Sequence, residues 1–174
     1  MGCDIHLHVE SRLAGIDREH NWYNTAFYGE FCERCYPMFA RLADVRNYDD
    51  VKHLPIRGLP EDVSCTVLEE ACCEVIPEGE DQHPFHKTNC VDKETADMWV
   101  EKGYSRWMNE DHSLCLDPDW HSFNWCTLAE LKKCFNEVFD DSPGCEEWLG
   151  LIKYMESLEK FGENVTRAVY WFDN

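Results

Sequence analysis

The chain has 174 residues, with 35 Asp and Glu against 16 Lys and Arg, a formal charge of −19. This argues against direct nucleic-acid or anionic-membrane binding, since both need a basic surface. The length suits a single globular domain, 1–174, with a sizeable core; 13% aromatic residues speak against disorder, and no apolar run is long enough for a transmembrane helix.

Residues 3 to 9 alternate and predict a strand. Asp4, His6 and His8 fall on one face of it, and Cys3, Ile5, Leu7 and Val9 on the other. The start carries no basic, apolar leader, which predicts a cytoplasmic protein. Gly15 and the polar stretch Asp17 to Asn21 predict a turn. Pro37 opens a helix through Phe39, Leu42 and Val45. Pro55, Gly58 and Pro60 break the next stretch into a loop. Ser64 suits the N-cap of a helix carrying Val67, Leu68, Ala71 and Cys72. Pro77 to Pro84 reads as an acidic loop. Asp92 caps a helix ending at Gly103. Residues 104 to 126 read as mostly loop with short strands. Thr127-Leu-Ala-Glu130 is a capping box, and Pro143-Gly144 ends the helix that it starts. Trp148, Leu151, Ile152, Met155 and Leu158 form the apolar stripe of a last helix. Arg167 to Asn174 is dense in β-formers and apolar on both faces, which places it centrally in a sheet. The expected class is α+β: a small sheet containing both terminal strands, packed with about five helices.

Eleven cysteines is an odd number, and most are expected to be free thiols. Cys32-Glu33-Arg34-Cys35 is a lone C-x-x-C. Cys72-Cys73, or His83 and His86 with Cys90, gives it no recognised zinc-ribbon spacing.

Asp4, His6 and His8 are the sharpest chemical feature, because alternate strand positions project carboxylate and imidazole the same way. Such groups suit zinc or manganese. They equally suit a polar strand face whose imidazoles bond to carboxylates. Asp119-Trp120-His121-Ser122 offers a ligand with a neighbouring carboxylate, or simply a loop organiser. Asp111-His112-Ser113 is a weaker copy. Asp173 closes the last strand. Arg34, Arg46 and Arg57 are candidates for gripping an anion, or for pairing with local acids.

Taken together, several stretches carry a family resemblance. They are Met1-Gly-Cys-Asp-Ile-His6; Arg34 with Tyr36, Phe39, Leu42, Ala43, Val45, Arg46 and Asn47; Arg57-Gly-Leu-Pro; Asp119-Trp-His-Ser122; and Trp171-Phe-Asp-Asn174. This resembles a family of small, uncharacterised proteins encoded by bacteriophages and prophages. Residues 75 to 115 lie outside the resemblance. Family members often carry an aromatic at the position of His8, and Cys32 and Cys35 stand outside the pattern. The resemblance implies a host-cytoplasmic protein whose matching polar residues converge on one pocket.

Two functions follow. In the first, a metal-dependent hydrolase or phosphodiesterase acts on a small phosphorylated or nucleotide-like molecule. Asp4, His6, His121 and Asp173 would hold a divalent metal, zinc or manganese. Asp119, His121 and Ser122 would serve catalysis, and Arg34, Arg46 and Arg57 would bind substrate. In the second, a non-enzymatic accessory protein sequesters a host nucleotide signal or blocks a host protein. Its partner is a small anionic ligand or a host protein. An acidic decoy of nucleic acid is a third reading that fits the charge but not the tryptophans.

Overall fold

A computed structural model describes residues 2–12, 21–28, 34–76, 90–108, 113–140 and 145–173. The class is α+β, with five helices and two four-stranded sheets among the described residues. The chain divides into two compact units, one of residues 1–64 with 121–174 and one of residues 65–120. The expected turn after Gly15, the Pro77 to Pro84 loop and the Pro143-Gly144 break lie outside the described residues, as do Cys32, His83, His86, Asp111 and His112. No helix among the described residues is long and apolar enough to cross a membrane.

The first unit is built on β1 (Ile5–Ser11), β2 (Tyr23–Phe27), β7 (His121–Thr127) and β8 (Thr166–Phe172), in the order β2-β1-β8-β7. Both terminal strands are therefore central and antiparallel, with Ile5 opposite Phe172 and Ser11 opposite Thr166. All seven residues of β8 are buried, as its two apolar faces require.

One face of this sheet carries Ile5, Leu7, Val9, Ala168, Tyr170 and Phe172. They share a core with Met38 and Phe39 of α1 (Tyr36–Ala43), Leu131 of α4 (Leu128–Phe139) and Trp148 of α5 (Glu146–Glu159). Each large side chain fully buried there contributes about 1.5–3 kcal/mol. Pro37 starts α1 as expected, and Asp44 ends it in the left-handed conformation. The Thr127 capping box closes in both directions. Glu159 at the end of α5 accepts from the amides of Asn164 (2.8 Å) and Thr166 (3.0 Å), which sets the turn into β8.

The opposite face carries His6, His8, Glu10, Arg167 and Trp171. His8 is fully buried, 5.1 Å from Trp171 and 4.8 Å from Phe27 between ring centroids. Burial depresses its pKa to about 4, so the ring is neutral at pH 7. At the far end of the face Glu10 takes Arg167 (2.6 Å) and the amide of Ser64 (2.6 Å). Arg167 also binds Asp62 (2.6 Å) and stacks on Trp22 at 4.1 Å.

The second unit contains α2 (Cys65–Ala71), β3 (Cys72–Ile76), β4 (Cys90–Asp92), α3 (Lys93–Glu101), β5 (Arg106–Met108) and β6 (Ser113–Leu116). Its strand order is β4-β3-β6-β5. Asp92 caps α3 by accepting from the Thr95 amide (2.8 Å), as its sequence position predicts. Cys73, Val75, Val91, Ala96 and Cys115 form a separate small core. The ten cysteines among the described residues are all free thiols.

Candidate functional site

The antiparallel pairing of β1 with β8 brings the two ends of the chain's motif set together. The Asp4 amide donates to Asp173 Oδ1 (2.9 Å), and the Asp173 amide donates to the Asp4 carbonyl (3.2 Å). His6 Nε2 lies 3.3 Å from Asp173 Oδ2, and its ring stacks on Trp171. Arg34 grips Asp4 with Nε (2.6 Å) and Nη2 (2.7 Å). That bidentate pair holds the Asp4 carboxyl below its ordinary range. Gly2 makes room for it, since a Cβ there would stand 2.0 Å from Arg34 Nη1.

His121 and Ser122 are neither in a loop nor in this cluster. They begin β7, where Ser122 takes the left-handed conformation (φ 54°) beside a register irregularity. His121 lies opposite Phe172 on the β7 side, while Ile5 lies opposite it on the β1 side. Two strand spacings, roughly 9–10 Å of backbone, therefore separate His121 from β1. Its Nδ1 is 3.0 Å from Ser122 Oγ, and its Nε2 is buried with no hydrogen-bond partner among the described residues. Asp119 is an exposed turn residue of the second unit, its amide donating to Asp117 Oδ1 (3.0 Å).

Arg57 also goes elsewhere. Its guanidinium binds both carboxylate oxygens of Glu130, donates to the Trp125 carbonyl (2.9 Å) and stacks over the Trp125 ring at 4.6 Å. Asn124 fixes the approach, accepting from the Arg57 amide (3.0 Å) and donating to the Leu42 carbonyl (2.9 Å). Arg57 thus fastens the loop after α1 to β7 and α4, and a ligand has no open fork to bind.

A divalent ion at Asp4, His6, His121 and Asp173 is not what this arrangement suits. Both oxygens of Asp4 accept from Arg34, and those of Asp173 face the Asp4 amide and His6. Among the described residues, no group of three or more His, Cys, Asp or Glu gathers to hold a metal ion.

Arg46 stands differently. It interacts electrostatically with Cys3 and, more weakly, with Tyr36. Its hydrogen bond to Tyr48 is the main cause that raises the Arg46 pKa. Tyr36, Arg46, Asn47 and Tyr48 line a half-enclosed cleft of about 250 Å³, walled by Arg41 of α1 and Glu137 of α4.

Its loop is built under strain. Asp44, Arg46 and Asp50 all have positive φ, at 60°, 53° and 51°. Asp tolerates that conformation, whereas Arg46 is held in it against its preference. The restraint comes from Asn47, which donates to Asp44 Oδ1 (2.7 Å) and the Val51 carbonyl (2.9 Å) and accepts from the Val51 amide (2.8 Å). Arg41 ties the loop down, donating to the Lys52 carbonyl (3.1 Å) while paired with Glu137 (2.9 Å). The backbone that carries Arg46 is therefore held from both sides.

Motif reading found Arg46 but missed Tyr36, Arg41 and Tyr48 as its neighbours in a cleft. The run of Tyr48, Asp49 and Asp50 after Asn47 was the available signal, since it packs turn formers around an aromatic ring.

No family model matches the chain, and neither a curated protein nor a solved structure matches it.

Proposed function

We propose that the protein binds a small anionic, ring-bearing molecule of nucleotide type in the Tyr36–Arg46–Tyr48 cleft and holds it without chemistry. The observation that carries this reading is Arg46, held in a strained left-handed conformation beside two tyrosines in a bounded cleft. A guanidinium fork suits phosphate oxygens, and an exposed ring such as Tyr48, 77% exposed, suits stacking by a base. The binding reading is preferred to a hydrolase because the carboxylates expected to hold a metal are occupied by Arg34, His6 and a backbone amide. For a chain that resembles bacteriophage-encoded proteins, such binding serves to sequester a host nucleotide signal.

Titration calorimetry with adenosine and guanosine monophosphates tests this. The expected result is saturable 1:1 binding, weakened about tenfold or more by Arg46→Ala. Tyr48→Ala should weaken it about five- to a hundredfold. The nucleotide should be recovered intact after heat release. Release of phosphate or nucleoside on adding zinc or manganese would restore the hydrolase reading. Absence of binding at millimolar nucleotide would end the nucleotide reading.

A further inference from the structure

The second unit carries a pair of thiols that the binding reading does not use. In the antiparallel pairing of β3 with β6, Cys73 lies directly opposite Cys115. Opposed residues of such a pair share one face of the sheet. Both side chains accordingly enter the same small core, with Val75, Val91 and Ala96. Both are free thiols. The bonds that they make are those of a weak donor: Cys115 Sγ donates to the Ala96 carbonyl at 4.0 Å, and Cys73 Sγ to Asp117 Oδ2 at 3.5 Å. The nearby cysteines are placed otherwise, Cys72 opposite Leu116 and Cys90 opposite Glu74. Among the described residues no other two cysteines oppose each other across strands.

Register sets the spacing of the pair. Opposed residues of antiparallel strands have Cα atoms about 4.5–5.5 Å apart. Disulfides span roughly 4.4–6.8 Å between Cα atoms, so the backbone is already in range. Opposed Cβ atoms stand about 4.5–5.5 Å apart, at or beyond the roughly 3.5–4.5 Å of a relaxed bridge. A bridge can therefore close by a shift of about 1 Å or less, and it closes under strain. Strained disulfides are the readily reduced ones.

We propose that Cys73 and Cys115 form a reversible cross-strand disulfide, a redox-sensitive lock on β3 and β6, with a small disulfide of the glutathione type as oxidant. These are the two central strands of the β4-β3-β6-β5 sheet. Burial pushes the Cys73 thiol up to about 12 and raises that of Cys115, so both stay protonated in the closed sheet at pH 7. The reactive thiolate forms when the small core opens locally. Cys73, the less buried of the two, then attacks a sulfur of the oxidant. That gives a mixed disulfide and expels one glutathione thiolate. Reclosure of the register brings Cys115 to the mixed disulfide. Its thiolate bonds to Cys73 Sγ and expels the second glutathione. Two protein thiols have lost two hydrogens, and one glutathione disulfide has become two thiols. An excess of reduced glutathione runs the same steps backwards.

The test incubates the intact protein without denaturant in several ratios of oxidised to reduced glutathione, quenches with acid, and maps the cysteines by mass spectrometry. The expected product is a Cys73–Cys115 linked peptide pair, two hydrogens lighter than its thiols, which reopens when reduced glutathione is in excess. Thiols or separate glutathione adducts at both positions in every ratio would overturn the proposal. So would a link that forms only in urea, or one that survives excess reduced glutathione. Amide hydrogen exchange reads the lock itself. Exchange in β3 and β6 should slow about tenfold or more on oxidation. In Cys115→Ala, oxidation should leave it unchanged. No slowing in the linked parent, or equal slowing in the variant, would show that the bridge locks nothing. Should Cys115→Ala fail to fold, the mapping and exchange of the parent protein decide.

Discussion

Two arginine–carboxylate pairs stand at opposite ends of β1, one built on Asp4 and one on Glu10. Arg34 and Asp4 are about half exposed, whereas Arg167 and Glu10 are 5% and 0% exposed. The chemistry is the same and the consequences differ. In water, two ions exchange partners readily, and their attraction is screened. In the buried pair each ion has lost its hydration, and fixed protein partners replace it. The Glu10 end, locked further by Ser64, Asp62 and Trp22, is therefore a structural clamp. The Asp4 end is a surface contact.

The largest effect expected is at the clamp. Arg167→Met should destabilise the protein by about 3–5 kcal/mol in urea denaturation, because Glu10 is left charged and buried. A loss below 1 kcal/mol would mean that the two ends are energetically alike.

The next concerns His8, between the two ends. Its folded pKa, about 4, lies below the unfolded value near 6.5. Above pH 6.5 neither state holds the proton, and the stability is fully present. As pH falls the unfolded chain takes a proton that the folded ring refuses, so stability is lost progressively down to about pH 4. The difference of about 2.5 units corresponds to about 3 kcal/mol. His8→Phe, which keeps an aromatic against Trp171, should remove this loss. Melting curves of both proteins at pH 7 and 4.5 check it.

A smaller loss follows at the loop clasp. Arg57→Ala leaves Glu130 without its fork and removes the stack on Trp125, for about 1–3 kcal/mol. Denaturation in urea measures it, and binding of adenosine monophosphate should weaken only through stability. Asp4→Asn comes last and should leave the denaturation midpoint unchanged, as exposed pairs commonly do.

The regular elements were legible where a local signal fixes them. Thr127 and Asp92 announce their helices by side-chain caps, and both terminal strands are written in alternation or in β-formers. Other elements were hidden for identifiable reasons. Cys72 continues the apolar spacing of Val67, Leu68 and Ala71, yet the helix ends at Ala71 and β3 starts at once. The irregularity between His121 and Asn124 breaks the two-residue period of β7, so it read as a loop. The site divides in the same way. Asp4, His6 and Asp173 meet because strand ends are predictable neighbours in a sheet. Arg57 was misplaced because its partner Glu130 lies 73 residues away, and no spacing rule reaches that far. The cleft was missed because it depends on how residues 44–51 fold back, which three left-handed residues decide.

The pairing of β1 with β8 sets the order in which the molecule can be made. His6 meets Asp173 across 167 positions. At about 5–20 residues per second, synthesis of that stretch takes on the order of ten seconds or more. Throughout that time the nascent β1 has no β8 to pair with, and Leu7 and Val9 have no finished core to enter. The sheet's central seam closes only after the helices between are already out of the ribosome. Long-range closure of this kind slows folding. It leaves β1 with β2 alone to pair with until the last strand has been made.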